Sequence, residues 1–534
     1  MSADAATWKP KHNPWAVALT VTLATFMEVL DTSIANVALP HIAGGLGASQ
    51  DEATWVLTSY FVSNAVILPM SAYLTSFVGR KRFYMWCVVL FGISSALCGL
   101  APSLPLLIFF RVLQGAGGGG LAPSEQAILA DTFPPKKRGQ AFAVYGLAVV
   151  AAPAIGPTLG GWITDNYDWR WIFFINIPVA IISLFLTQRM VEDPPHIEAE
   201  VKRLRSGGLN LDYTGFALLA LGFGSLEFIL DKGQEDDWFG SRVITYFTVA
   251  CVVSLVTLIV WEIVQIRKGH KPILDLTLFR NRTFAVSFIL MFVLGFTLYG
   301  TTVLIPQFVQ TLMGYTAEQA GLVLSPGGVT VMLMMPLVGF LVGRVDPRYL
   351  IVYGFSMLAL ALARMHTLDL QVSYGYIAWL RVFQASGLAF LFVPINTVSY
   401  TDVPREKSND VSGLTNLARN IGASVGTSFF VTSLARRSQF HQDRLASHLT
   451  MADSTFQQQV DALGKYLQHS AGNAVSSAQA QVMAQGSLYR QLITQSSMLA
   501  YLDVIAVLSL GCVCMIPLVF FIKKRRAAGP AAMH

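Results

Sequence analysis

Charge is scarce in this sequence. Only 13% of its 534 residues are Asp, Glu, Lys or Arg, about half the roughly 25% of a soluble domain. Apolar residues make up 54%, and the mean hydropathy is +0.53. That shortage excludes the string of soluble domains that the length would suggest at about 150 residues each. Cysteine is sparse too. Cys87, Cys98, Cys251, Cys512 and Cys514 all lie in apolar runs and form no C-x-x-C pair, which excludes a disulfide framework and a zinc site. The nine histidines show no metal-ligand spacing, so no metal is expected. There is no G-x-x-x-x-G-K-[ST], so the chain cannot drive itself with ATP. A cleavable signal is not expected, because the first apolar run, Trp15 to Leu39, is too long and lacks a small-residue cleavage site.

What is present is a series of apolar runs of about 20 residues, the length that crosses about 30 Å of hydrocarbon as helix. Only helices satisfy their own backbone in lipid, so the chain reads as an all-α membrane protein. Fourteen spans can be placed, from 15–39 to 498–522, the thirteenth being 411–434. Of the 37 Lys and Arg residues, 25 fall in segments that share a side with the N-terminus and three in the short loops opposite. The net charge of +6 is therefore spent at helix ends, and no basic patch for nucleic acid exists. This bias puts both termini and the Arg80–Arg82 loop in the cytoplasm. The expected organisation is a cytoplasmic tail at 1–14, a six-helix bundle at 15–190, and cytoplasmic loops with two inserted helices at 191–283. A second bundle follows at 284–434, then a long outer loop at 435–496, the last span at 497–522 and a basic tail at 523–534.

The sequence repeats itself with an offset near 270. Arg111-Val-Leu-Gln114-Gly115 in span 4 returns as Arg381-Val-Phe-Gln384-Ala385 in span 12, and Gly156-x-x-x-Gly160 in span 5 as Gly422-x-x-x-Gly426 in span 13. Corresponding helices are eight apart, giving six plus two plus six. An even shift keeps the copies parallel, as in two transporter halves that rock about a central site.

Ionisable groups inside spans are costly and are functional candidates by default. Span 1 holds Glu28 and Asp31 at i and i+3, on one helix face. Two carboxylates that close cannot both be charged cheaply in low dielectric, so they are read as a proton carrier or a trap for a lipophilic cation; the alternative is a solvated pair near water. Arg111, one turn before Gln114, needs an acceptor that the span 1 carboxylates could supply, unless it snorkels to the interface. Glu125 lies further along the same span, and Arg381 is the repeat partner of Arg111. The substrate cavity is expected to hold Glu28, Asn36, Gln114, Glu125, Arg381 and Gln384. The run Gly115-Ala-Gly117-Gly-Gly-Gly120 matches G-x-G-x-x-G but lies within an apolar helix instead of opening one after a strand, so close helix packing is the better account. In span 5, Pro153 and Pro157 bend the helix, while Gly156, Gly160 and Gly161 offer a ridge to a neighbour.

With these residues in view, the chain resembles the fourteen-helix drug/proton antiporters of the major facilitator superfamily, the EmrB/QacA type. Leu30-Asp31-Thr-Ser-Ile-Ala-Asn36-Val-Ala-Leu-Pro40 is similar to the first-helix motif of that group. Arg111-Val-Leu-Gln114-Gly115 resembles the fourth-helix motif, whose arginine the family links to proton transfer. Gly156-Pro157-Thr-Leu-Gly160-Gly161 resembles the fifth-helix antiporter motif of exporters. Trp169-Arg170-Trp171 through Asn176-Ile-Pro178 and Asp275-Leu-Thr-Leu-Phe279-Arg280 are further landmarks. The resemblance implies multidrug efflux driven by a proton gradient, with no cofactor, across a bacterial inner membrane. Among EmrB-like exporters it also implies a periplasmic adaptor and an outer-membrane channel. The loop after span 2 departs from the family pattern: Ala72 replaces a glycine and Ser76 the aspartate. The gating ion pair assigned to that aspartate cannot form in its usual way, although Arg80-Lys81-Arg82 remains as a cytoplasmic gate.

The resulting expectation is a proton-coupled exporter of amphipathic toxic compounds. Asp31 is the principal proton site, Arg111 its modulator, and Glu28 the group that favours cations. A dedicated exporter of one metabolite, such as a fatty acid or siderophore, shares every motif. A membrane enzyme would need clustered catalytic groups, and His366-x-x-Asp369 stands alone. Finally, Phe456, Val460, Leu463 and Leu467 form one stripe of an amphipathic helix, expected to bury itself on a partner or on the outer face of the bundle.

Overall fold

The computed structural model describes residues 10–206, 212–447, 449, 454–470 and 475–523. Most of both tails, including Lys9 and Lys524–Arg526, lies outside these. The first bundle comprises α1 (Pro14–Leu46), α2 (Trp55–Val78), α3 (Arg80–Gly99), α4 (Leu104–Gly118) with its continuation α5 (Leu121–Thr132), α6 (Arg138–Asn166) and α7 (Asn176–Met190). Two inserted helices follow, α8 (Tyr213–Lys232) and α9 (Arg242–Arg267). The second bundle contains α10 (Arg282–Thr311), α11 (Ala317–Val342), α12 (Pro347–Met365), α13 (Tyr374–Ser399), α14 (Ser408–Ala446) and α16 (Ser477–Val519), with α15 (Ser454–Ser470) between the last two.

Each predicted span coincides with a helix, but the count of fourteen does not follow from the structure. Among the described residues, twelve helices are long and apolar enough to cross a membrane, or thirteen if the bent pair Arg138–Pro153 and Ile155–Asn166 is one span. The helix outside this set is α14, whose Asn409, Asn416, Arg419 and Asn420 dilute its apolar character.

Local chemistry sets the helix ends. Asn13 caps α1 by accepting from the Trp15 amide at 2.9 Å, Pro14 fills the first turn, and Gly47 ends the helix at φ +65°. Capping boxes start α11 at Thr316/Gln319 and α16 at Ser476/Gln479, each satisfying two otherwise unpaired backbone amides.

Packing bears out the internal repeat. A Cβ on Gly156 would collide with the Ser33 hydroxyl and one on Gly160 would meet Ile34, so α6 rides directly on α1. Gly422 and Gly426 do the same for α14, against the backbone of Phe292 and Phe296 on α10. Span 5 (α6) thus packs on span 1 (α1) as span 13 (α14) packs on span 9 (α10), as duplication requires. Gly161 departs from the expected ridge: nothing lies within 4 Å of its would-be Cβ.

The two bundles meet most closely toward the end that carries Arg80–Arg82, called the basic end below. There Gly139 faces Val342 and Gly339, and Gly339 faces Ala143. Ser408 donates to Asp131 at 3.3 Å and Asn416 to Gln126 at 3.0 Å. Helix α8 lies along α2, with Phe228 stacked on Trp55 at 5.7 Å, while α9 exposes Val249, Val252, Val253, Val256 and Val260, a face suited to lipid.

Among its described residues the segment 435–496 is mostly helical, including the amphipathic stretch expected around Val460. Helix α14 runs on to Ala446, α16 begins at Ser477, and α15 packs on it, so a helical projection extends the last two spans. The stripe is spent within the chain: Val460 and Gly464 are buried, Leu463 and Leu467 half-buried, and Gly464 faces Ala480 and Gln481 of α16.

Candidate functional site

Asp31 sits mid-helix on α1, and its carboxylate is 1% exposed. Three donors from two other spans converge on it. Arg111 Nη1 on α4 donates to Oδ2 at 2.7 Å, Gln114 Nε2 to Oδ1 at 2.9 Å, and Asn176 Nδ2 on α7 to Oδ1 at 2.6 Å. Arg111 also donates through Nη1 to Gln114 Oε1 at 2.7 Å and through Nε to the Val56 carbonyl at 3.0 Å. Its side chain is fully buried, so it does not snorkel. Buried charges in low dielectric require this kind of pairing and hydrogen bonding.

Glu28 occupies a different environment one turn away. Tyr60 Oη and Asn64 Nδ2, both on α2, donate to its Oε1 at 3.2 Å, and it is only half-buried. The two span 1 carboxylates share a helix face but no hydrogen-bond partner. Tyr60 joins the two environments, because its ring lies 4.4 Å from the Arg111 guanidinium carbon.

The remaining expected residues divide. Glu125, on α5, is fully buried and accepts from Thr22 of α1 at 2.5 Å. Asn36 is exposed and stands apart from the network. Arg381 repeats the local geometry of Arg111, donating to Gln384 Oε1 at 2.6 Å. It lines a crevice with Pro153, Tyr299, Leu324 and Gly327, and its Nε and the Gln384 amide nitrogen make no hydrogen bond.

At the basic end, Arg80 Nη1 donates to Asp131 Oδ2 at 2.8 Å and to the Ala127 carbonyl at 3.0 Å. An ion pair therefore forms although Ser76 replaces the usual aspartate, because Asp131 stands on the last turn of α5. The Lys81 amide donates to Asp193 Oδ1 at 2.9 Å, and burial raises the Asp193 carboxyl above its ordinary range. Arg82 is exposed. The glycine run is helix packing, as expected: Gly115, Gly118 and Gly119 press on α2, and Gly117 and Gly120 on α3. His366 contacts the Leu502 carbonyl while Asp369 accepts from the Gln371 amide, so these two form no joint site.

The sequence profile of the Major Facilitator Superfamily matches residues 21–427. The chain belongs to the Major Facilitator Superfamily. It is 37% identical over 470 residues to the Multidrug export protein EmrB of Escherichia coli (strain K12), covering 87% of this chain and 90% of that protein. It is 39% identical over 441 residues to the Fatty acid resistance protein FarB of Neisseria gonorrhoeae, covering 82% and 84%. The structure resembles that of the proton:xylose symporter XylE bound to 6-bromo-6-deoxy-D-glucose, with TM-score 0.56, 17% identity and 96% of each chain covered. At that identity the likeness carries the fold alone. Like its relatives in the superfamily, the chain is a multi-pass membrane transporter.

Asn176, Tyr60, Asn64 and Tyr145, whose Oη accepts from Arg419 Nη1 at 2.7 Å, were not singled out as site residues from sequence. Asn176 lies inside the Trp169–Pro178 landmark, the one available signal.

Proposed function

We propose that this protein is a proton-coupled antiporter that exports amphipathic toxic compounds by alternating access. The observation that carries the reading is the buried Asp31–Arg111 pair, backed by Gln114 and Asn176. Protonating Asp31 cancels its charge and leaves Arg111 short of a counter-ion, so a proton there changes the forces holding α1, α4 and α7 together. Glu28, which is only half-buried, is the group that meets a substrate's cationic head. Tyr60 links the two, which lets occupancy at Glu28 oppose protonation at Asp31. Similarity to EmrB, a multidrug export protein by name, supports a broad substrate range.

In this reading the proton gradient drives transport and no cofactor takes part. The basic end and both termini face the cytoplasm of a bacterial inner membrane, and the helical projection faces outward. Tyr466, Val482, Met483 and Tyr489, all exposed on α15 and α16, give an adaptor leading to an outer-membrane channel a surface to grip.

A second reading, export of one anionic amphiphile such as a fatty acid, draws on FarB and on the Arg381–Gln384 pair, which has unused donors and no ion-pair partner among the described residues. A susceptibility panel in an efflux-deficient host separates the readings. Protection against many unrelated compounds supports the first; protection against fatty acids alone supports the second.

A further inference from the structure

The inserted helix α8 carries a carboxylate that the transport reading leaves unused. Glu227 lies five residues before the end of α8, about 7.5 Å of helical rise from it. Its partner is neutral: Ser424 Oγ on α14 donates to Glu227 Oε1 at 2.8 Å. The neighbouring cation, Lys232, is engaged by Glu235 at 2.5 Å and by Thr54. The end of α8 is fixed to α2 through Lys232–Thr54, Thr58–Asp231 and the Phe228–Trp55 stack. Glu227 itself reaches across to the other bundle.

A polar line runs inward from this carboxylate. Ser424 Oγ also donates to the Asn420 carbonyl at 3.2 Å, Asn420 Nδ2 donates to Asn64 Oδ1 at 3.5 Å, and Asn64 Nδ2 donates to Glu28 Oε1 at 3.2 Å. Glu227, Ser424, Asn420 and Glu28 are all partly exposed. Asn64, between them, is buried, and an ionisable group at this depth is a functional candidate by default. Phe61 is 37% exposed and lies on the arc of α2 between the Asn64 face toward Glu28 and the Val62 face toward α8. A carboxylate and an aromatic ring on apolar walls suit a lipophilic monovalent cation, whose charge the ring face also attracts.

We propose that Glu227, with Ser424 and Phe61, forms a peripheral binding subsite for the cationic head of lipophilic compounds, at the seam between α2 and α14 and beside the bilayer. The inserted helix pair is thereby part of the substrate route. Cations entering sideways from lipid meet Glu227 first and pass along the Asn420–Asn64 line to Glu28. The inference rests on the efflux reading and adds to it a site supplied by the inserted pair.

The test is equilibrium binding of tetraphenylphosphonium to full-length protein in lipid nanodiscs, with neutral N-phenyl-1-naphthylamine as the uncharged comparison. Glu227→Gln is expected to weaken tetraphenylphosphonium about tenfold and the neutral probe less than twofold, and Phe61→Leu to weaken tetraphenylphosphonium severalfold. Equal weakening of both probes in Glu227→Gln would make Glu227 a structural latch and overturn the site. So would unchanged cation binding, or no cation binding by the unsubstituted protein. If the same variants, reconstituted in proteoliposomes, still exported neutral compounds under a pH gradient, the efflux reading would stand while this site fell.

Discussion

Tyr60 touches both candidate sites at once: its hydroxyl donates to Glu28 at 3.2 Å and its ring lies 4.4 Å from the Arg111 guanidinium carbon. A substrate that takes over Glu28 therefore releases the hydroxyl of a side chain on which the proton site leans. Tyr60→Phe keeps the ring and loses one hydrogen bond, worth roughly 1 kcal/mol. It should weaken the pH dependence of substrate binding while leaving the fold intact. Tyr60→Leu removes the ring as well and should also lower thermal stability. Binding curves of a fluorescent cation at several pH values, alongside melting temperatures, check both.

The fifth-helix motif gives a sharper steric expectation. Gly156 lies against Ser33 and Gly160 against Ile34, whereas Gly161 faces open space. Gly156→Val should push α6 from α1 at a cost of about 1–3 kcal/mol and reduce transport. Gly161→Ala should change neither. Thermal unfolding in detergent and transport in proteoliposomes, run on both variants, would expose a motif read only as a block.

At the basic end, Asp131 accepts from both Arg80 and Ser408, so one carboxylate ties α3 to the opposite bundle. Replacing Arg80 by Gln leaves a buried carboxylate with only the His196 imidazole beside it, at 3.5 Å, a loss of up to about 3–5 kcal/mol, and should favour opening of this end. Ala143 is buried there against Gly339. In a background without the five native cysteines, Ala143→Cys should resist a water-soluble maleimide and become reactive when Arg80→Gln is added.

The projection yields the fourth expectation. Val460 is buried beside α16, while Tyr466 and Met483 are exposed. Tyr466→Ser with Met483→Ser should abolish crosslinking to an adaptor yet preserve transport by the isolated protein in liposomes. Val460→Asp should loosen α15 from α16, seen as faster proteolysis between 447 and 476.

Much of this architecture is legible in sequence because lipid leaves the chain few options. Apolar runs of spanning length must be helices, and the Arg111/Arg381 and Gly156/Gly422 echoes reveal the duplication before any coordinates. The Asp31–Arg111 contact is foreshadowed for the same reason, since a buried guanidinium must find an acceptor. Neutral polar partners are not legible: Asn176, Asn64 and Tyr60 carry no cost that marks them, and their roles depend on which face each helix turns inward. Asn36 and Gly161 show the converse, for both sit in matching motifs yet face open space. In the projection only the Phe456–Leu467 stripe is legible, because Gln, Ala and Ser composition suits a loop and an exposed helix alike, and the extension of α14 and α16 beyond the apolar runs has no hydropathy signal.

The central claim is that Asp31 carries the coupling proton, and the most direct test is transport in proteoliposomes with an imposed pH gradient, following substrate and internal pH together. The unsubstituted protein should move substrate against protons. Asp31→Asn should bind substrate, exchange it down its own gradient, and show neither gradient-driven accumulation nor substrate-dependent proton movement. Full gradient-driven transport by Asp31→Asn, with protons still moving in step, would contradict the assignment.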